Sequence, residues 1–137
     1  MDVQRAKFVR WVEPNESREQ LVHDAKALSW EHECEHAVLE LNNNRLVLVG
    51  GGRVGIEFLA EGGLPVAPDG HATVKLFVEV EGEVFRIKRI VFHTHPMATG
   101  PSDWDLRVLE MLNQTESCIY EINGPTGGTL IRPKERR

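Results

Sequence analysis

The chain has 137 residues, of which 41% are hydrophobic and 27% charged, and its formal net charge is −5. That length suits one domain with a real core and is too short for two, and the balance of apolar and charged residues is the ordinary one of a soluble globular protein. An acidic chain argues against a nucleic-acid partner, which needs clustered Lys and Arg, and the absence of a run of about 18 apolar residues argues against a membrane.

Met1-Asp2-Val3-Gln4-Arg5 lacks the apolar centre of a signal peptide, so a cytoplasmic protein is expected. Ala6 to Val12 alternates weakly and predicts a first strand that stops at Pro14. Ser17 and Gln20 then have the spacing of a capping box, which starts a helix running to about Leu28 with Leu21, Val22, Ala25 and Leu28 as its buried stripe. Between Trp30 and Leu41 the apolar residues fit both a helix and a strand. The turn chemistry of Asn42-Asn43-Asn44 and the clear strand Arg45 to Val49 favour a hairpin of 35–41 with 45–49.

Gly50 to Gly55 closes that hairpin, and Ile56 to Leu59 is a short further strand. Glu61 to His71 is rich in Gly, Pro and Asp and reads as an exposed loop, able to border a groove or simply to connect. Thr73 to Val80 alternates as a strand, turns at Glu81-Gly82-Glu83 and returns as Val84 to Phe92, whose wholly apolar end marks a central strand. A second helix is expected from Ser102 to about Gln114, then a strand at Cys118 to Ile122, a turn at Asn123 to Gly128 and a last strand at Thr129 to Ile131. The sum is a single mixed α/β domain over 1–137, a largely antiparallel sheet flanked by helices. Cys34 and Cys118 are too few and too far apart for a disulfide framework or a thiolate zinc site. The basic end, Arg132 to Arg137, reads as a solvated tail.

Three motifs compete for the chemistry. Gly50-Gly51-Gly52-Arg53-Val54-Gly55 fits G-x-G-x-x-G, but that pattern holds a pyrophosphate only where a helix starts, and Ile56 to Gly63 is too short and glycine-limited for one. His32-Glu33-Cys34-Glu35-His36 fits H-E-x-x-H, a metalloprotease site with His32 and His36 as ligands and Glu33 as base, provided the segment is helical. The third is the stretch from His93 to Asp105. Side chains at i and i+2 of a strand share a face about 6.5 Å apart, so His93 and His95 can converge on one ion. Asp105 then arrives from the first turn of a helix, giving two nitrogens and one oxygen with a fourth position open, the ligand count of a catalytic zinc. Ser102 and Asp105 also have capping-box spacing, a plain structural role compatible with chemistry.

His93-x-His95-Pro96 followed by Ser102-x-x-Asp105 resembles the JAMM motif of the MPN-domain metalloproteases. The likeness extends loosely from about Glu35 to Ile131, and the segment between Pro96 and Ser102, five residues long, is one shorter than that family commonly has. The resemblance implies a sheet with cytidine-deaminase-like layering and one Zn²⁺ per chain held by His93, His95 and Asp105. It implies that Glu35, heading the early strand and preferred there to Glu33, is the general base, and that the Ser102 hydroxyl stabilises an oxyanion. The activity implied is hydrolysis of a peptide or isopeptide bond, in an enzyme resembling a deubiquitinase that acts on a ubiquitin-like conjugate or modifier precursor with a flexible C-terminal tail. A non-catalytic MPN-like scaffold is the other outcome of the same likeness. A zinc deaminase is excluded, because it needs a Pro-Cys-x-x-Cys pair.

Overall fold

The computed structural model describes residues 3–60, 75–97 and 100–133. The expected loop Glu61 to His71, the first residues of the strand expected from Thr73, and the end of the basic tail lie outside them. Among the described residues, ten strands and two helices follow in the order β1 (Val3–Arg5), β2 (Lys7–Trp11), α1 (Arg18–His32), β3 (His36–Leu41), β4 (Leu46–Gly50), β5 (Gly55–Glu57), β6 (Leu59–Ala60), β7 (Leu76–Val80), β8 (Glu83–His95), α2 (Asp103–Leu112), β9 (Ser117–Glu121) and β10 (Thr129–Ile131). The fold is mixed α/β, with an open sheet dominated by antiparallel pairing, ordered β10-β9-β8-β3-β4-β2, and β7 and β6 attached beside the first half of β8. No described helix is long and apolar enough to cross a membrane.

Both faces of the sheet are covered, which is why β3 and β4 are apolar at nearly every position. Val38, Leu48 and Phe92 point to one face and pack with Leu21, Val22 and Ala25 of α1. Ala37, Leu39, Leu41, Val47 and Val49 point to the other and pack with Val108 and Met111 of α2 and with Phe58, Leu76, Val78 and Val80. Phe92 is fully buried and meets Tyr120 edge-on, ring centroids 5.4 Å apart.

Several expectations are sharpened or corrected. The first strand is two, because the chain leaves β5 at Ala6: β1 runs parallel to β5, while β2 pairs with β4. Ser17 caps α1 by accepting the Gln20 N–H at 3.0 Å, but the Gln20 side chain turns to Asp24 at 2.9 Å, so the reciprocal half of the box is not made. The helix continues past Leu28 to His32, since nothing before it breaks the backbone, and ends where Glu33 turns left-handed at φ 53°. Its buried stripe ends on Ser29, with Leu28 half-buried. The β7–β8 turn has Glu81 at φ 53° and Gly82 at φ 84°, the positive angles of a two-residue hairpin whose twist matches its strands.

The strand expected to end at Phe92 continues to His95. It carries a bulge opposite Val38 and Leu39, where the partner jumps from Phe92 to Ile90. Without it Ile90 and Phe92 would share a face; with it Ile90 faces α2 and Phe92 faces α1, so His93 and His95 follow Ile90 onto the α2 side. β8 then runs parallel to β9, with α2 in the crossover between them.

Candidate metal centre

The site lies where the carboxyl end of β8 meets the start of β3 and the N-terminus of α2. In the antiparallel register of β3 and β8, Ala37 opposes His93 and His36 opposes Thr94. Continuing that register by one residue sets Glu35 beside His95, on the same face. The glycine turn after β4 fixes Glu35 from its other edge: Gly51 N–H donates to the Glu35 carbonyl at 2.9 Å, and Glu35 N–H donates to the Gly52 carbonyl at 2.8 Å. A Cβ on Gly51 would come within 2.4 Å of the Ile56 side chain, so close backbone approach explains this glycine. Gly50 to Gly55 leads into β5, and no helix begins there to hold a phosphate.

Asp105 enters from the first turn of α2. Ser102 is the N-cap, its Oγ accepting the Asp105 N–H at 3.1 Å while the Asp105 Oδ2 accepts the Ser102 N–H at 2.9 Å. The capping box that the spacing allowed is therefore formed, and it aims the Asp105 carboxylate at the sheet. Capping uses only a lone pair of the Ser102 oxygen, leaving its O–H to donate elsewhere.

Four side chains converge. The His93 and His95 Nε2 atoms are 3.0 Å apart. Asp105 Oδ1 lies 3.2 Å from His93 Nε2 and Oδ2 lies 3.3 Å from His95 Nε2. Glu35 Oε2 is 3.4 Å from His95 Nε2. All four residues are buried, and one ligand atom from each falls within 4.8 Å of the other three, so the group could hold a metal ion.

The residues fit such an ion on two counts. A tetrahedron with metal–ligand bonds of about 2.0–2.1 Å has edges of about 3.3 Å; the two histidine Nε2 atoms, 3.0 Å apart, and the Asp105 carboxylate, with one oxygen 3.2 Å from His93 Nε2 and the other 3.3 Å from His95 Nε2, are spaced close to that edge, with Glu35 beside them at 3.4 Å from His95. Two imidazoles beside carboxylates are donors for a first-row transition ion, whereas calcium and magnesium favour oxygen throughout. A divalent cation would also balance two carboxylates otherwise buried together, a costly arrangement.

The electrostatics divide the two acids. Burial pushes the Glu35 carboxyl up to about 7, with the Asp105 charge adding to the rise and the two histidines opposing it. An apolar cavity lined by Ala37, Ile56, Phe58, Trp104 and Val108 lies against Glu35 and accounts for that desolvation. Burial also acts to raise Asp105, but hydrogen bonds from His93 and His95 outweigh it and hold this carboxyl far below the usual carboxylate range. For His95, burial lowers and the Asp105 hydrogen bond and nearby carboxylates raise, and the net shift is upward.

The H-E-x-x-H reading is corrected here. His32 is the last residue of α1, Glu33 is its left-handed cap and His36 is already in β3, so the helix that would put both imidazoles on one face is absent. His36 is buried on the opposite side of the sheet from the cluster, its Nδ1 3.1 Å from Ser29 Oγ, which in turn is 2.6 Å from Thr94 Oγ1. Glu33 is exposed and 3.9 Å from Arg53. Between the two acids, the structure brings Glu35 to the histidines and leaves Glu33 outside.

One further acid reaches the site. In the parallel register of β8 and β9, His95 pairs with Glu121, and the Glu121 Oε2 lies 3.8 Å from His95 Nδ1 while accepting the Gly100 N–H. No local pattern around Glu121 signals this, since it depends on a pairing across the α2 crossover. Comparison with family models, with curated proteins and with solved structures finds no match for the chain.

Proposed function

We propose that this chain is a zinc-dependent hydrolase that cleaves peptide or isopeptide bonds, with His93, His95 and Asp105 as metal ligands, Glu35 as general base and acid, and Ser102 as oxyanion donor. The observation that carries the reading is the convergence of Glu35, just before β3, with His93 and His95 of β8 and Asp105 of α2 on one point. The likeness of His93-x-His95-Pro96 and Ser102-x-x-Asp105 to the JAMM motif supports the same assignment.

Zinc bound there supplies Lewis acidity and lowers the pKa of a water it binds to about 7. The chain's own residues supply the rest. Glu35, its carboxyl raised by burial beside the histidines, is placed to take a proton from water and return it to a leaving amine. The Ser102 O–H, free of its capping duty, is available to the developing oxyanion, a contribution of about 3 kcal/mol for one well-placed donor. The apolar wall of Ile56, Phe58 and Trp104 excludes water and strengthens each of these interactions. A ubiquitin-like modifier joined through a flexible C-terminal tail is the substrate class that the motif's likeness favours.

The test is elemental analysis of purified protein together with hydrolysis of isopeptide-linked and linear fusion substrates, with and without a chelator. About one zinc per chain, and cleavage that the chelator abolishes and zinc restores, is the expected result. Zinc below about half an equivalent that added zinc does not raise would favour the non-catalytic scaffold.

A further inference from the structure

Glu121 sits at the metal centre without belonging to the motif that marks it. To bind an ion through Nε2, an imidazole must present a lone pair there and carry its proton on Nδ1. His95 turns Nε2 into the cluster, and its Nδ1 faces the Glu121 carboxylate at 3.8 Å, too far for a direct hydrogen bond but close enough for the carboxylate charge to favour a proton on that nitrogen. The same Glu121 oxygen accepts the N–H of Gly100, two residues before the cap of α2. One carboxylate thus faces the ring of one ligand and grips the segment that delivers another.

We propose that Glu121 is a positioning residue of the metal centre, holding the His95 ring with Nε2 toward the ion and fixing, through Gly100, the approach of Ser102 and Asp105. The proposal rests on the reading of the cluster as a zinc site. Two roles are separable by chemistry. A bond to Gly100 alone needs only an oxygen acceptor, which Gln retains. Holding the Nδ1–H tautomer of His95 by charge needs the carboxylate, which Gln lacks.

The experiment measures zinc affinity by chelator competition, and the visible spectrum of the cobalt-substituted protein, for the wild type, Glu121→Gln and Glu121→Ala, with the thermal midpoint of each metal-free chain alongside. Glu121→Gln is expected to weaken zinc binding about 10- to 100-fold and to alter the cobalt spectrum while the metal-free midpoint stays near wild type. Glu121→Ala should weaken binding at least as much and lower the midpoint too. Wild-type affinity and an unchanged cobalt spectrum in Glu121→Gln would overturn this role alone. A wild-type chain that binds no zinc would overturn the zinc reading and this role with it.

Discussion

Replacing Asp105 with Asn separates the two tasks of that side chain. The amide oxygen can still accept the Ser102 N–H, so the capping box of α2 survives in large part. The negative charge facing both imidazoles, at 3.2 and 3.3 Å, is lost. Structural zinc binding is worth about 10–16 kcal/mol over four ligands, so one ligand carries about 3 kcal/mol, or roughly 10²-fold in affinity at the least. Zinc at 100 times its dissociation constant stabilises a folded protein by about 2.7 kcal/mol. With about 2.1 cal/mol/K of unfolding entropy per residue over 137 residues, that is a rise of about 9 °C in the thermal midpoint. In Asp105→Asn the same zinc concentration only reaches the weakened dissociation constant, giving about 0.4 kcal/mol and a rise of about 1–2 °C. Thermal scans of both proteins with zinc and with chelator measure the difference. A zinc-dependent rise in Asp105→Asn equal to that of the wild type would refute the assignment of Asp105 as a ligand.

Glu35→Gln should retain zinc and lose turnover by about 10²- to 10⁴-fold, whereas Glu33→Gln, at an exposed side chain outside the cluster, should leave both unchanged; inactivity of the second variant alone would reverse the choice of base. Ser102→Ala should cost about 0.5–2 kcal/mol of stability through the lost cap and lower kcat by a further factor of about 10²–10³, so a variant destabilised yet fully active would leave Ser102 a cap and nothing more. Apparent zinc affinity should fall as pH drops from about 7.5 to about 5.5. Burial lowers His95, but the Asp105 hydrogen bond and the nearby carboxylates raise it on balance, so on the acid side this ligand holds a proton that a cation must displace and the metal-free form is favoured. Zinc titrations across that interval check the sign, and an affinity that is flat or rises toward acid would contradict it.

How much of this was legible in the chain depends on the range of each interaction. His93 and His95 share a strand face two residues apart, and Ser102 and Asp105 share a helix turn, so both pairs are local and readable. Glu35 depends on the register between β3 and β8, and the sequence left it beside Glu33 until the left-handed Glu33 and the strand start at His36 separated them. The bulge opposite Val38 and Leu39 has no glycine or proline to announce it, yet it sets which face the histidines take. The parallel pairings β1–β5 and β8–β9 join segments distant in sequence and leave no periodic trace, so the split at Ala6 and the arrival of Glu121 were both out of reach. The glycine run after β4 was visible, but its task, gripping the backbone of Glu35, emerges only from the fold.

The central claim is that Glu35, His93, His95 and Asp105 surround a zinc ion. Anomalous diffraction on either side of the zinc absorption edge, from crystals grown with zinc, tests it most directly. One strong peak is expected at about 2.0–2.2 Å from His93 Nε2, His95 Nε2 and an Asp105 oxygen. A peak confined to His32 and His36, or none at the cluster, would contradict it.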